Sequence, residues 1–391
     1  MSLLFAKRVA STDALDLLAR ERAGRVAGSV AVTSESALRH SAVWAALRLR
    51  ANLVSAMPVD LYRRVGGQQV EVPKPDLLRT PGALHVGGGR VSVADWLYAT
   101  QMDLDRFGNA FGLVSAWSGL SLPARIDLTS AEDWSVAVRG GTVEYRYRGQ
   151  KVDAAQVWHE RQYVVAGLPV GLSPVAYAAL AIGQYQSAQK FTLDWFGNSA
   201  VPASRLKNTS KKITPGEADL VKRRFKAAVQ SGDVFVHGAD WEFDMLAATA
   251  AQSEFLETQK WSVADVVRFF DVPGDMIDAE SSTGHVTYAN VTQRNLQLMV
   301  TSLGPAVKRR EDALSAAVPA PQYVKLNTDA VLRMDPKTRY EMLAIGVDNR
   351  AVTPNEWREL DNRPPLTADQ EAEFARLFPS RSSDTAPAPK G

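Results

Sequence analysis

One segment, residues 173–196, restricts the fold of this chain more than any other. It opens with Ser-Pro, which is typical of an N-cap followed by proline at the first helical position, and Gly197 after it is typical of a helix end. Within residues 175–193 the only charged residue is Lys190. A helix on a solvated surface carries a charged face. The pattern therefore predicts a long helix that packs on more than one side, against neighbouring subunits.

A second helix is predicted from about Ser253 to Phe270. Its apolar residues, among them Val263, Val267 and Phe270, recur on one helical face. The helix is expected to end before Pro273, because the residue before a proline disfavours the α region. This helix and residues 173–196 bracket the chain between them.

The bracketed part, residues 198–246, is predicted to be a small α/β insertion. Thr214 and Glu217 have the spacing of a capping box, with Pro215 at the first helical position. Residues 233–243 alternate as a hairpin does. We expect two helices that carry one compact insertion.

The chain before residue 171 is predicted to be a sheet-rich α+β domain that ends near residue 170. One helix, capped by Ser34 or Ser36, is expected to run to about Ala56, and another covers Val93–Phe107. Strands are predicted at 57–64, 65–72, 108–117, 134–138, 142–148 and 157–161.

After Pro273 the pattern predicts a polar loop and then mostly helix. A helix of about thirty residues carries the stripe Leu296, Met299, Leu303, Val307 and Leu314, and Pro305 is expected to kink it. Strands follow at 323–327 and 330–334. Helices are then predicted from Pro336 to about Ile345 and at capping boxes that begin at Thr353 and Thr367. The last residues are polar and rich in proline, which is typical of a disordered tail.

Composition removes several classes of protein. There is no cysteine, which excludes disulfides, thiolate catalysis and cysteine-ligated metal. No signal peptide or membrane span is predicted, so we expect no membrane partner. The net charge is only +2, so binding to phosphate must depend on local clusters of Lys and Arg.

One such cluster lies in the insertion, where residues 205–226 carry a net charge of +6. Two interpretations stay open: a solvated helix face, which is what charge runs usually are, or a surface that attracts phosphate or docks a partner. The basic residues are Arg205, Lys207, Lys211, Lys212, Lys222, Arg223, Arg224 and Lys226.

The sequence lacks three common enzyme motifs. The chain has no phosphate-binding G-x-x-x-x-G-K-[ST], and residues 87–89 are interpreted as a flexible glycine turn. Ser173 lacks the second glycine of a nucleophile elbow and is better explained as a helix cap. His159-Glu160 is not followed by a second histidine at zinc-protease spacing. We predict no catalytic residue, no metal and no cofactor.

The order of these motifs resembles that of the portal proteins of HK97-type tailed phages. Residues 41–64, the GNAF of Gly108–Phe111, the VWHER of 157–161 and the Ser-Pro helix start follow in the family's order. The FLETQKWSVADVVRFFDVP of 255–273 and the SLGPAVKRRED of 302–312 come next, and then a pattern of Gly346, Thr353, Asn355, Glu356 and Arg358. The chain departs from the family at Thr80-Pro81-Gly82, where the family often has Pro-Asn.

The resemblance implies a portal fold of class α+β, with an α/β wing, two stem helices, a small α/β clip insertion and a helical crown. The implied parts are an N-terminal arm (1–33), the first part of the wing (34–170), a stem helix (171–197), the clip (198–246), a second stem helix (247–273), a tunnel loop (274–288), a kinked helix with the second part of the wing (289–333), the crown (334–379) and a disordered tail (380–391).

The resemblance also implies a function. Such a chain would form a ring of twelve copies at one capsid vertex, in the virion and in the host cytoplasm during assembly. Double-stranded DNA would pass through its channel during packaging and ejection. The implied partners are the terminase, the head-tail connector, and the major capsid and scaffolding proteins. The alternative hypothesis is a metal-dependent nucleic-acid hydrolase of head maturation.

Two sets of site residues follow from the resemblance. The tunnel loop would place Ser281, Ser282, Thr283 and His285 against DNA, with Gly284 allowing the loop to move; an ordinary surface loop remains the alternative. The clip would present the basic cluster to DNA or to the terminase. A conduit needs attraction to the DNA backbone without base-specific anchoring, and polar and basic side chains suit that.

Overall fold

The computed structural model describes residues 32–197, 204–210, 212–231, 240–245, 265–277, 297–328, 336–361 and 363–377. The chain divides into two compact units, Met1–Val331 and Leu332–Gly391. The class is α+β, as predicted. The described α-helices are α1 (Ser34–Ala37), α2 (Ser41–Ser55), α3 (Val93–Phe107), α4 (Pro174–Tyr177), α5 (Ala179–Gly197), α6 (Pro215–Ser231), α7 (Gly304–Ser315), α8 (Pro336–Asp348), α9 (Pro354–Leu360) and α10 (Ala368–Leu377).

The strands of the first unit form small antiparallel sheets. The described strands are β1 (Val59–Val65), β2 (Gln68–Glu71), β3 (Asn109–Trp117), β4 (Pro123–Thr129), β5 (Trp134–Arg139), β6 (Thr142–Tyr147), β7 (Gln150–Val152), β8 (Val157–Arg161), β9 (Ser204–Asn208), β10 (Trp241–Met245) and β11 (Gln322–Leu326). Their sheet orders are β11-β1-β2, β4-β3-β8, β5-β6-β7 and β9-β10. Residues 329–335, with the strand predicted at 330–334, lie outside the described part.

The single helix predicted at the start of the wing is two helices. Thr33, not Ser34 or Ser36, caps α1, and its hydroxyl accepts from the Ser36 amide at 3.0 Å. His40 caps α2: its Nδ1 accepts from the Ala42 amide at 3.2 Å. The predicted caps were wrong because the Ser36 side chain is engaged with Thr33, and because an imidazole is not among the usual N-cap groups.

Two of the sheets enclose an aromatic core. Phe107, Phe111, Trp134 and Val136 are buried between β3 and the β5–β6 hairpin. The Trp134 indole N–H donates to the Thr129 hydroxyl at 2.8 Å, so its polar end is satisfied. This core joins β3 to the β5–β6 hairpin.

Gly108 ends α3 in the left-handed region with φ of +71°, and a Cβ there would lie 2.1 Å from the Leu172 carbonyl oxygen. Only glycine fits such a position. The contact ties the end of α3 to the chain that enters α4.

The long helix predicted over 173–196 is also two helices, α4 and α5, with Ala178 as the C-cap of α4. Ser173 is the cap that was predicted, since its hydroxyl accepts from the Ala176 amide at 3.1 Å. The first turns are buried with Val175 and Ile182 in one core. Two leucines of α5 are exposed, Leu180 at 57% and Leu193 at 72%.

The described part of the insertion holds β9, β10 and α6. The Thr214–Glu217 capping box is confirmed: the Thr214 amide donates to the Glu217 carboxylate at 2.9 Å, and the Glu217 amide donates to the Thr214 hydroxyl at 3.4 Å. β10, predicted as the second half of a hairpin over 233–243, pairs with β9, a partner that the sequence did not suggest. Residues 232–239 lie outside the described part.

Of the second predicted long helix, residues 253–264 lie outside the described part, and the described helical residues are 265–268. The helix stops through a Schellman motif: the Asp271 amide donates to the Arg268 carbonyl at 3.4 Å and the Val272 amide to the Val267 carbonyl at 3.3 Å. Asp271 takes the left-handed position at φ of +53°. The predicted stop is therefore confirmed in place, with the left-handed Asp271 added to the effect of Pro273.

The distortion expected at Pro305 takes the form of a π-helical stretch, Leu298–Leu303, followed by α7 with Pro305 in its first turn. The Gly304 amide donates to the Met299 carbonyl, five residues back. Met299, Leu303, Val307 and Leu314 are buried, as the stripe predicted. Leu296 lies outside the described residues.

The second unit is helical in its described part, as predicted. Thr353 and Glu356 form the expected capping box, and so do Thr367 and Gln370. Tyr340 packs edge-on against Trp357. None of the described residues of this unit is buried.

Candidate functional sites: the basic helix and the Arg50 junction

The first candidate site is an exposed basic face of α6, which we call the basic helix face and which consists of Lys222, Arg223 and Arg224. Successive helical residues are about 100° apart, so these three side chains spread over a wide arc. The Arg223 Nε also donates to the Asp219 carbonyl at 3.3 Å. The face can attract an anionic surface.

The other predicted basic residues of the insertion differ from one another in their exposure and their partners. Lys207 lies on β9 and forms an ion pair with Glu242 across the ladder at 3.3 Å, and exposed pairs of this kind contribute little to stability. Lys212 is exposed. Lys211 and the side chains of Arg205 and Lys226 lie outside the description. Of the predicted basic residues, the structure therefore brings together Lys222, Arg223 and Arg224 on α6.

The predicted tunnel-loop residues Ser281, Ser282, Thr283, Gly284 and His285 also lie outside the described residues. The chain is described on both sides of them, at 265–277 and from 297 onward. The structure therefore describes the two chain ends on either side of residues 278–296.

Those ends meet at a buried arginine. Arg50 of α2 is 1% exposed. Its Nη1 donates to the Phe270 carbonyl at 3.2 Å and to the Ser302 hydroxyl at 2.5 Å. One guanidinium nitrogen therefore bonds the chain before residues 278–296 and the chain after them.

The same guanidinium rests on Asp105 of α3, which is also 1% exposed. The Arg50 Nε donates to the two Asp105 oxygens at 3.2 and 3.1 Å. Gln101 donates to one of these oxygens at 3.0 Å, and Gln162 to the other at 2.9 Å. We call this set, with Phe270 and Ser302, the Arg50 junction; its buried charges are paired and hydrogen-bonded, as burial requires.

Electrostatics in the junction favour the charged guanidinium. Burial alone lowers the pKa of Arg50, but Asp105 together with Tyr163 and Asp271 outweighs burial, so the pKa lies above its usual value. Tyr163 stands beside the pair and donates to the Asp271 carboxylate at 3.0 Å. Burial raises the pKa of Tyr163 to about 12, so the phenol remains a hydrogen-bond donor to the left-handed residue.

A second buried ion pair lies in the same unit but has a different geometry. Arg310 of α7 is 3.1 Å from Glu160 of β8, and both are almost fully buried. The two Glu160 carboxylate oxygens and the Arg310 Nε make no hydrogen bond. Burial lowers the pKa of Arg310 and raises that of Glu160. This pair bonds Thr100, not the ends of residues 278–296.

Sequence analysis did not find the Arg50 junction. The signal was present, because Arg50 falls on the apolar stripe of α2 with Val43, Leu47 and Val54, and Asp105 lies beside Leu104 on the buried face of α3. Opposite charges on two buried helix faces predict a buried pair.

Two further kinds of site are absent from the described part of the chain. No group of three or more His, Asp or Glu that could hold a metal occurs there. No helix in the same residues is long and apolar enough to cross a bilayer.

Comparison with known proteins defines the class. Residues 41–362 match the family described as phage portal protein, so this chain belongs to the phage portal protein family, as the sequence analysis predicted. The family is structural rather than catalytic. The alternative hypothesis, a nucleic-acid hydrolase, gains no support.

Particular relatives carry the same description. The chain is 29% identical over 372 residues to a protein of Streptomyces phage phiC31 described as "Probable portal protein", covering 88% of this chain and 79% of that one. It is 27% identical over 355 residues to the portal protein of Enterobacteria phage HK97, covering 87% and 82%.

Solved structures share the fold. An HK97 family phage portal protein from Corynebacterium diphtheriae superposes with a TM-score of 0.58 at 18% identity, over 77% of this chain and 98% of that one. A chain from the neck of a native gene transfer agent particle, computed with C12 symmetry, gives a TM-score of 0.55 at 18% identity, over 90% and 99%.

Proposed function

We propose that this chain assembles into a ring of twelve copies at one capsid vertex and that double-stranded DNA passes through the ring during packaging and ejection. The observation that carries the proposal is the family match over residues 41–362. It is supported by the C12 symmetry stated for the gene transfer agent neck. The protein would then reside in the virion, and in the host cytoplasm while heads assemble.

The proposed parts keep the predicted boundaries. Residues 34–170 and 289–333 form the wing, 171–197 and 247–273 the stem, 198–246 the clip, 274–288 the tunnel loop and 334–379 the crown. The exposed Leu180 and Leu193 of α5 support a stem that contacts neighbouring copies. In a ring, such apolar residues become buried between subunits.

The basic helix face is proposed as the docking surface of the clip for the terminase or for DNA. Its side chains are exposed and spread over an arc, which suits attraction to phosphates or acidic side chains without a fixed register. Repetition around a ring multiplies this charge. The head-tail connector, the major capsid protein and the scaffolding protein are the further proposed partners.

Assembly is tested by native mass spectrometry and negative-stain imaging of the purified chain. Particles with a central channel and the mass of twelve copies are expected. A chain that stays monomeric under every condition would overturn the ring.

The docking role is tested by neutralising Lys211, Lys212, Lys222 and Arg223 together. Packaging of DNA, or binding of the terminase, should weaken while rings still form. A control with the same loss of charge replaces four exposed wing residues, Arg39, Arg48, Arg63 and Arg64. Packaging that is unchanged, or reduced equally by the control, would leave the cluster as a solvated helix face.

A further inference from the structure

The Arg50 side chain bonds three residues that lie far from it in sequence. Arg50 and Asp105 are separated by 55 residues, Arg50 and Phe270 by 220, and Arg50 and Ser302 by 252. The helices that carry Arg50 and Asp105, α2 and α3, pack against each other in the proposed wing. The two hydrogen bonds that Arg50 Nη1 donates go to Phe270 and Ser302, in the segments on either side of residues 278–296.

Asp105 fixes where the guanidinium lies. Both carboxylate oxygens face Nε, and each also accepts a hydrogen bond from a glutamine side chain. Gln162 is held in turn, since its carbonyl oxygen accepts from Arg309 of α7 at 3.4 Å. A planar guanidinium held in this way presents its remaining N–H groups in a fixed direction.

Each contact from Nη1 meets a place where the helical backbone is irregular. The Phe270 carbonyl belongs to the Schellman end of the helix, where the last carbonyls lack helical partners, and a cation at a helix C-terminus is stabilising. Ser302 lies in the π-helical stretch Leu298–Leu303, a type of distortion that often occurs at functional positions. In both segments, therefore, a polar group next to an irregular stretch of backbone accepts its hydrogen bond from the same outside donor.

We propose that Arg50, seated on Asp105, is a positioning residue that holds the two ends of the 271–301 connection to each other, so that a displacement of one end is transmitted to the other. A purely local role would stabilise each end separately. Transmission requires the shared nitrogen, because the Phe270 carbonyl and the Ser302 hydroxyl accept from the same atom. The consequence for DNA passage rests on the proposed function, but the coupling itself does not.

The test is Ser302→Ala in the full chain, followed by hydrogen–deuterium exchange. This change removes one acceptor and leaves every charge in place. Peptides that cover 266–273 report the Asp271 and Val272 amides of the Schellman motif, and peptides that cover 298–305 report the Gly304 amide. Both sets are expected to exchange about tenfold faster, the ratio that corresponds to one charge-assisted hydrogen bond.

The matched control is Thr100→Val, which removes the hydroxyl that accepts from Arg310, the other buried arginine. It should leave exchange of 266–273 unchanged. Faster exchange in 298–305 alone after Ser302→Ala, or faster exchange in neither segment, would overturn the coupling. So would an equal effect of the control on 266–273.

Arg50→Lys gives a second readout that keeps the positive charge. An ammonium group cannot present the arginine fork, so both segments should lose protection together. If the variants behave as expected but rings assembled from the parent chain do not conduct DNA, the coupling stands and the proposed function fails. If the parent chain packages DNA but Ser302→Ala does not speed exchange in 266–273, the proposed function stands and the coupling fails.

Discussion

His40 is expected to make the fold sensitive to acid. The imidazole is fully buried, its Nδ1 accepts from the Ala42 amide at 3.2 Å, and its ring lies 3.9 Å from that of Tyr185 of α5. Burial lowers the pKa of His40 to about 4. A proton on Nδ1 would also turn this acceptor into a donor that faces the amide, so the N-cap of α2 would be lost.

The sign and size of the effect follow from the pKa difference. In the unfolded chain the group titrates near 6.5, and in the folded chain near 4. Between these values the unfolded state binds more protons, so the stability is fully present above pH 6.5 and decreases as the pH falls. The loss from this one group is about 2 kcal/mol at pH 5 and about 3 kcal/mol at pH 4.

The variant that isolates this group is His40→Asn, because asparagine keeps an N-cap acceptor but does not titrate. Urea denaturation of the unassembled subunit at pH 7 and at pH 5 gives the loss of unfolding free energy for each protein. The loss should be smaller by about 2 kcal/mol in the variant. Part of the loss should remain, since burial lowers the pKa of His159 to about 3 as well.

His85→Asn is the control, because it removes an exposed histidine. It is expected to leave the pH profile of the parent unchanged. An equal loss in the parent chain and in His40→Asn would refute the argument, since the buried imidazole would then not be the group that titrates.

Three further changes test the backbone. Gly171→Ala should lower the thermal midpoint far more than Gly89→Ala, because a Cβ at Gly171 would lie 2.2 Å from two carbonyl oxygens whereas Gly89 has open space and no positive φ; equal midpoints would contradict this. Arg350→Gly should stabilise the second unit by roughly 0.5–1 kcal/mol, since Arg350 is left-handed with φ of +57°; a lower midpoint would count against it. Thr353→Ala should cost about 1 kcal/mol through loss of the capping box, measured as loss of helicity on heating, and Thr353→Ser should not.

Elements whose ends are encoded locally could be predicted residue by residue. Val93–Phe107 is the clearest case: Ser92 caps it through the Asp95 amide at 3.1 Å, and Gly108 ends it in the left-handed region. The hairpin of β1 and β2 follows from Gly66 and Gly67 in the same way, since both have positive φ. In these cases every determinant lies within a few residues.

Breaks that depend on tertiary contacts were not predicted. The chain turns at residues 38–40, where His40 is buried against Tyr185. It turns again at Ala178, which is buried in the core shared by α2, α4 and residues 266–272. Helical periodicity continues through both places, so a pattern that counts only spacing cannot detect them.

The candidate sites divide in the same way. The basic cluster is visible in the local charge of the sequence, and the structure exposes Lys222, Arg223 and Arg224. The Arg50 junction was missed because its members come from α2, α3 and two distant segments. The family was recognisable because its motifs keep their order along the chain even where pairwise contacts cannot be seen. The family match over 41–362 spans the quoted motifs, from residue 41 to Arg358.

The shared bond of Arg50 to Phe270 and Ser302 has a consequence for how such a chain can vary. Both ends of the 271–301 connection accept a hydrogen bond from one side chain of α2, so the two ends are held to each other by a contact outside the connection itself. We therefore expect insertions and deletions within 278–296 to leave the flanking segments in place. The length of this connection could then change over evolution while the buried residues around Arg50 stay under selection for their packing.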